Sequence, residues 1–156
     1  MKVLFLCTAN SCRSILSEAI FNHLAPAGMK AYSAGSQPKG EVHPLSITAL
    51  QRAGISTEGL SSKSSDAHAE LAPDFVITVC DKAAGEACPV FFGPAVKAHW
   101  GLSDPSDLHG SAAELDAAFD NTLEQIKRRL KAFIALPFDQ MDAAQLKVEL
   151  ARIGTL

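Results

Sequence analysis

Cys7-Thr8-Ala9-Asn10-Ser11-Cys12-Arg13-Ser14 joins the apolar run Val3-Leu4-Phe5-Leu6 to the stretch Ile15-Leu16-Ser17-Glu18-Ala19-Ile20-Phe21. A short apolar run bounded by a polar turn reads as a buried strand, and the stretch that follows reads as a helix. Strand, tight loop and helix N-terminus therefore meet at one cysteine. A loop entering a helix points unpaired main-chain N–H groups at one spot, where the positive end of the helix dipole favours an anion. Arg13 adds a guanidinium fork suited to a tetrahedral oxyanion. The same field favours the thiolate form of Cys7 and makes it a nucleophile. Five residues separate Cys7 from Arg13, enough to wrap one anion and few enough to return the guanidinium to the sulfur. The rival reading is a strand-to-turn junction with an incidental cysteine. Nucleophile, cradle and charge coinciding at one strand-to-helix switch argue against it.

Outward from this loop the chain alternates between elements. Ser14 to Leu24 is predicted helical, with Leu16, Ile20, His23 and Leu24 on one face and Pro26 and Gly28 as the stop. Lys30 to Gly35 reads as a second strand. His43 to Ala53 reads as a helix with Pro44 in its first turn, Leu45, Ala49 and Leu50 toward the sheet, and Gly54 ending it. Gly59 to Asp66 is polar and serine-rich, a loop leading to a short helix near Ala67–Leu71. Phe75 to Val79 is nearly all apolar, as a parallel strand buried on both faces should be. It ends at Cys80. Open α/β sheets place active residues at the carboxyl ends of strands, so Cys7 and Cys80 share one rim.

Residues 81–93, rich in alanine, glycine and proline, read as a loop that carries Cys88. Val96 to Trp100 reads as a fourth strand and 101–107 as the loop after it, which puts Asp104 just beyond a strand end. Leu115, Phe119, Thr122, Ile126, Leu130 and Phe133 keep helical spacing from Ser111 to Leu136. The alternation predicts an α/β fold, a four-stranded parallel sheet with helices on both faces. Beyond Pro137, Ala143, Leu146, Leu150 and Ile153 form a short apolar stripe, read as a helix packed on the body because three apolar turns make a marginal interface. Residues 1–137 are thus the domain and 138–156 its helical extension.

A chain of 156 residues with 47% of them apolar supports one well-buried core and is too short for two ordinary domains. A net charge of −3 offers no basic surplus for nucleic acid or an anionic membrane. The apolar stretch before Cys7 is too short for a secretory signal and no run approaches a membrane span, so the protein is expected to be cytoplasmic and monomeric. Four cysteines in a reducing compartment point to catalysis or metal binding rather than structural disulfides. His43, His68, His99 and His109 show no metal spacing.

Cys-x5-Arg-Ser after a short N-terminal strand resembles the phosphate-binding loop of the low-molecular-weight phosphotyrosine phosphatase fold. The wording Cys-Thr-Ala-Asn-Ser-Cys-Arg-Ser is most similar to its arsenate reductase branch, and the resemblance runs from Val3 to about Pro137. It implies Cys7 as nucleophile, Arg13 with the N–H groups of Thr8, Ala9, Asn10, Ser11 and Cys12 as oxyanion cradle, and Ser14 as a hydrogen-bond donor to the thiolate. His99-Trp100-Gly101 followed by Asp104-Pro105 matches the family's acid loop, making Asp104 the proton donor; the alternative use of Asp-Pro is a turn cap. The Ser-Ala-Gly ending of the second strand is common in the family, with Gly35 expected to let the chain pass close to the anion loop.

The branch implies reduction of arsenate to arsenite through a thiol–arsenate adduct on Cys7. Cys80 resolves the adduct, and Cys88 passes the oxidation to thioredoxin, or to glutathione with glutaredoxin, by thiol–disulfide exchange. The seven residues between Cys80 and Cys88 slightly exceed the interval in thioredoxin-linked members. No tightly bound cofactor is implied. Asn10, Glu18 and Ser33, with Asp66 a looser match, correspond to positions that hold potassium in some relatives. Cys12 occurs in both branches and reads as loop packing, with a protective disulfide to Cys7 as an alternative.

Two other functions compete. A low-molecular-weight protein tyrosine phosphatase would hydrolyse phosphate monoesters, but Ser106 and Asp107 stand where phosphatases place aromatics that grip the substrate ring. A non-catalytic zinc or anion-binding module would use Cys7, Cys12, Cys80 and Cys88, whose spacings are not those of zinc knuckles.

Overall fold

Val3, Leu4 and Phe5 are completely buried in strand β1 (Lys2–Cys7), around which the sheet is built. In a computed structural model that describes residues 1–68, 70–79, 95–107 and 109–156, β1 pairs in parallel with β2 (Lys30–Gly35) on one side and β3 (Phe75–Thr78) on the other. β3 pairs in parallel with β4 (Val96–His99), giving the order β2-β1-β3-β4. The register sets Cys7 opposite Gly35, Leu6 opposite Thr78, and Thr78 opposite His99, so the carboxyl ends of all four strands form one rim. The order reverses direction at β1, and Cys7 stands at that switch point. Cys80, Cys88 and the predicted loop 81–93 lie outside the described residues.

Side chains alternate across the sheet. Val3, Phe5, Cys7 and Ile77 enter the larger apolar cluster, together with Leu16 and Ile20 of α1 (Arg13–Leu24) and Leu50 of α2 (Pro44–Arg52). Phe119, Ile126 and Phe133 of α3 (Ala112–Ile134) and Leu150 of α4 (Ala143–Ile153) complete it. Leu4, Leu6, Ala34 and Val76 form the second cluster, against which Tyr32 and Leu71 pack. Over that face lies a 3-10 turn, Ser65–His68, with His68 edge-on to Tyr32. Helical cover therefore lies on both faces among the described residues.

The helix starts follow local chemistry. Ser111 accepts the N–H of Glu114 at 3.2 Å at the head of α3, and Asp142 and Gln145 form a capping box at the head of α4. α4 packs on the body through Leu146, Leu150 and Ile153, as its stripe predicted. The short helix expected near Ala67–Leu71 forms earlier and tighter: the Ser64 hydroxyl accepts the Asp66 N–H at 3.2 Å, and Ala72, at φ 50°, breaks the chain before Pro73. Among the described residues no helix is long and apolar enough to cross a membrane.

Candidate active site

Cys7 is the last residue of β1 and is buried. In the loop that follows, main-chain carbonyls are engaged by the surrounding chain. Thr8 O accepts from Gln37 N at 2.9 Å, Ala9 O from Lys39 N at 3.0 Å and Ser62 Oγ at 3.1 Å, and Ser11 O from His43 N and Ser46 Oγ, each at 3.1 Å. A loop whose carbonyls face outward presents its N–H groups inward, the arrangement of an anion-binding nest. Gly35 fulfils its expected role. A Cβ there would collide with Thr8 O and stand 3.0 Å from both Asn10 N and Cys7 O.

Asn10 is the pivot of the loop. It is fully buried at φ 49°, a left-handed conformation that asparagine tolerates better than most residues. Its Oδ1 accepts the Lys63 main-chain N–H at 2.9 Å, which fixes the amide orientation. Nδ2 then donates to Ser14 Oγ at 2.8 Å and Ser33 Oγ at 3.1 Å, and Ser33 donates to Glu18 Oε1 at 2.6 Å. Ser14 thus belongs to the network that shapes the loop. His68 Nε2 meets Ser33 O at 3.0 Å, and since a carbonyl only accepts, this nitrogen carries the proton. Burial lowers the His68 pKa, with the Ser33 bond opposing and the Lys63 charge assisting.

Arg13 opens α1 and reaches across the rim to the loop after β4. Nη1 donates to Leu102 O at 3.1 Å and Nη2 to Asp104 Oδ2 at 3.3 Å. Its Nε is buried without a hydrogen-bond partner among the described residues, a donor held ready for a ligand. Asp104 Oδ1 accepts from the Ser106 N–H at 3.0 Å and its hydroxyl at 2.7 Å. Asp104 is therefore a turn cap and the partner of Arg13 at once. Cys12, the N-cap residue of α1, is buried; burial pushes its thiol pKa up, against hydrogen bonds with Ser46 and Ser11. That suits packing better than nucleophilic chemistry.

The expected potassium set divides. Asn10, Glu18 and Ser33 come together, whereas Asp66 is exposed on its 3-10 turn. Asn10 offers Ser33 amide hydrogens and Ser33 spends its proton on Glu18, so the polar groups close on one another. Lys63 brings the protein's own cation to the same corner, its pKa lowered by burial and supported by the Glu18 charge. In this arrangement Asn10, Ser33 and Glu18 satisfy one another without a cation. Among the described residues no group of three or more His, Cys, Asp or Glu could hold a metal.

Sequence reasoning passed over Ser62 and Lys63, which brace the loop from a segment read as a polar connection, and His68, which meets Ser33 O of β2 from a stretch read as a short helix. The available signal was a dense polar stretch beside a loop rich in carbonyls needing donors.

The family described as "Low molecular weight phosphotyrosine protein phosphatase" matches residues 2–150. The match enters α4 instead of stopping near Pro137, in keeping with the core contacts of Leu146 and Leu150. A protein of Shouchella clausii named "Arsenate reductase" is 34% identical over 134 residues, 84% of this chain and 93% of its own length. The solved structure "An arsenate reductase in the phosphate binding state" superposes with a TM-score of 0.71 at 28% identity, covering 86% of this chain and 96% of that one. A "thioredoxin-dependent arsenate reductase" of Corynebacterium glutamicum gives a TM-score of 0.60 at 26% identity, over 83% of this chain and 61% of that one.

Proposed function

Because the chain belongs to the low molecular weight phosphotyrosine protein phosphatase family, we propose that it reduces arsenate to arsenite with electrons from thioredoxin. The observation that carries this reading is the junction at Cys7. A buried cysteine at a strand end is followed by a loop with outward carbonyls and by Arg13, which has one unpartnered donor and two donors shared with the Asp104 loop. The relatives named as arsenate reductases favour arsenic over an ester as the electrophile.

In this reading the loop N–H groups and Arg13 hold the arsenate oxygens, and Ser14 donates its proton toward the Cys7 sulfur. The Cys7 thiolate attacks arsenic, and a hydroxyl of the protonated arsenate leaves as water with the second proton from Asp104, once the anion has drawn the Arg13 fork away from that carboxylate. The Cys80 thiolate attacks the Cys7 sulfur; the S–As pair stays on arsenic, which departs as arsenite, reduced from As(V) to As(III), and the two sulfurs become a disulfide. Cys88 then attacks Cys80, releasing Cys7, and thioredoxin reduces the Cys80–Cys88 disulfide. Support for Cys80 comes from its neighbour: Val79 N–H donates to Leu6 O at 2.9 Å, one residue from the nucleophile.

The test is arsenate-dependent NADPH consumption by purified protein with thioredoxin and thioredoxin reductase. Sustained consumption that requires Cys88 supports the full relay. No consumption, with glutathione and glutaredoxin also failing while an aryl phosphate is hydrolysed, replaces it with a phosphatase.

A further inference from the structure

The loop that carries Asp104 is anchored from two sides. Toward the sheet, Trp100 N–H donates to Thr78 O at 2.7 Å and Leu102 N–H to Val79 O at 3.1 Å. The other anchor is Arg129 of α3, only 4% exposed in spite of its charge. Its Nη1 donates to Trp100 O and Gly101 O, each at 3.2 Å, and its Nε donates to Leu156 O at 3.3 Å. The Trp100 indole N–H in turn donates to Leu150 O of α4 at 2.9 Å. Gly154 packs so close to this ring that a Cβ would stand 2.9 Å from its Cδ1. Two residues beyond Trp100, Leu102 O receives Arg13, and two further Asp104 does.

Burying a guanidinium is costly unless its donors are satisfied, and the planar fork satisfies them in one geometry only. The carbonyls of Trp100 and Gly101 are therefore held where Arg129 requires them, which fixes the start of the acid loop. We propose that Arg129 is a positioning residue for the reaction: it sets the approach of Leu102 and Asp104 to Arg13 and couples the C-terminal helix to the site. This role rests on the reading of Asp104 as proton donor.

The test is a double-mutant cycle on full-length protein, reading kcat and KM for arsenate at saturating reductant, inhibition by inorganic phosphate, and melting temperature. Arg129→Met keeps the length of the side chain and removes its donors. We expect its kcat to fall about 10²-fold, the scale of a small misplacement of a reacting group, with the phosphate inhibition constant nearly unchanged. Arg129→Lys, which keeps the charge but not the fork, recovers part of the loss and serves as the test if the Met variant does not fold. In the Asp104→Ala background, Arg129→Met costs less than about threefold more, because the group it positions is gone.

An equal loss in both backgrounds, or a full rate in Arg129→Met, overturns the positioning role and leaves the Asp104 reading intact. A full rate in Asp104→Ala alone overturns that reading and the role built on it. A protein that turns over neither arsenate nor an aryl phosphate overturns the reading of the whole site.

Discussion

Arg13 and Asp104 stand 91 positions apart, yet Nη2 of one lies 3.3 Å from Oδ2 of the other. The pair is only partly exposed, with side chains at 15% and 23%. A single ion pair is weak evidence for stability, since desolvation of its partly buried charges offsets their attraction, so its weight falls on chemistry. Asp104→Ala is expected to slow turnover by about 10²–10⁴-fold, the usual contribution of a positioned acid. Steady-state rates with arsenate, beside a phosphate inhibition constant that stays within severalfold, check this; an unchanged rate makes Asp104 the cap of Ser106 alone.

Gly35 offers a sharper test of the anion loop. The collision of an added Cβ is with backbone, Thr8 O, which cannot swing away as a side chain would. Gly35→Ala should cost about 1–3 kcal/mol, the range for overpacking, and weaken phosphate binding more than a distant destabilising change of equal size. Urea unfolding and calorimetric titration with phosphate separate the two effects. Intact binding in a destabilised variant would show that the loop tolerates displacement.

The junction at Cys7 was legible because strand, loop and helix are contiguous, whereas Gly35 and Asp104 were legible at their strand ends only with the family resemblance beside them. The braces were not, since they depend on pairing across long separations. Lys63 N–H and Ser62 Oγ reach Asn10 and Ala9 from 53 positions away, and no periodicity marks such side-chain-to-backbone bonds. Arg129 was hidden differently. In Lys127-Arg128-Arg129 it reads as one more charge on a solvated helix face, and only the packing of α4 over it reveals the burial.

Potassium gives a clear expectation. A cation bound only by the native state at 100 times its Kd would add about 2.7 kcal/mol. Since Asn10, Ser33 and Glu18 already satisfy one another, with Lys63 nearby, replacing potassium by sodium at constant ionic strength should leave both melting temperature and turnover unchanged. A potassium-specific rise in melting temperature refutes the closed network.

His68 ties stability to pH. Burial lowers its pKa from 6.5 in the folded state, so the unfolded chain binds the proton more readily. Its contribution is complete above the unfolded value and is lost as pH falls from about 6.5 through the lower folded value. His68→Gln retains an N–H for Ser33 O without the titration. Melting curves between pH 7.5 and 5.5, a window of about two units around the unperturbed value, should show a smaller loss for the variant. Parallel curves would exclude His68 as the source.

The relay makes the last and most discriminating demand. Attack on arsenic and attack on phosphorus share Cys7, the loop and Asp104, and they part only at the fate of the sulfur adduct. Water clears a phosphocysteine, whereas release of arsenite needs a second thiol to take the oxidation. Cys7→Ser should therefore abolish both reactions. Cys80→Ser should stop arsenate reduction yet leave any aryl phosphate hydrolysis near the parent rate, and Cys88→Ser should allow a single turnover with the oxidation left on the Cys7–Cys80 pair. Mass spectrometry after alkylation identifies that disulfide directly. Multiple turnovers by Cys80→Ser would show that an external thiol resolves the adduct, and the electron path would then run from Cys7 straight to the reductant.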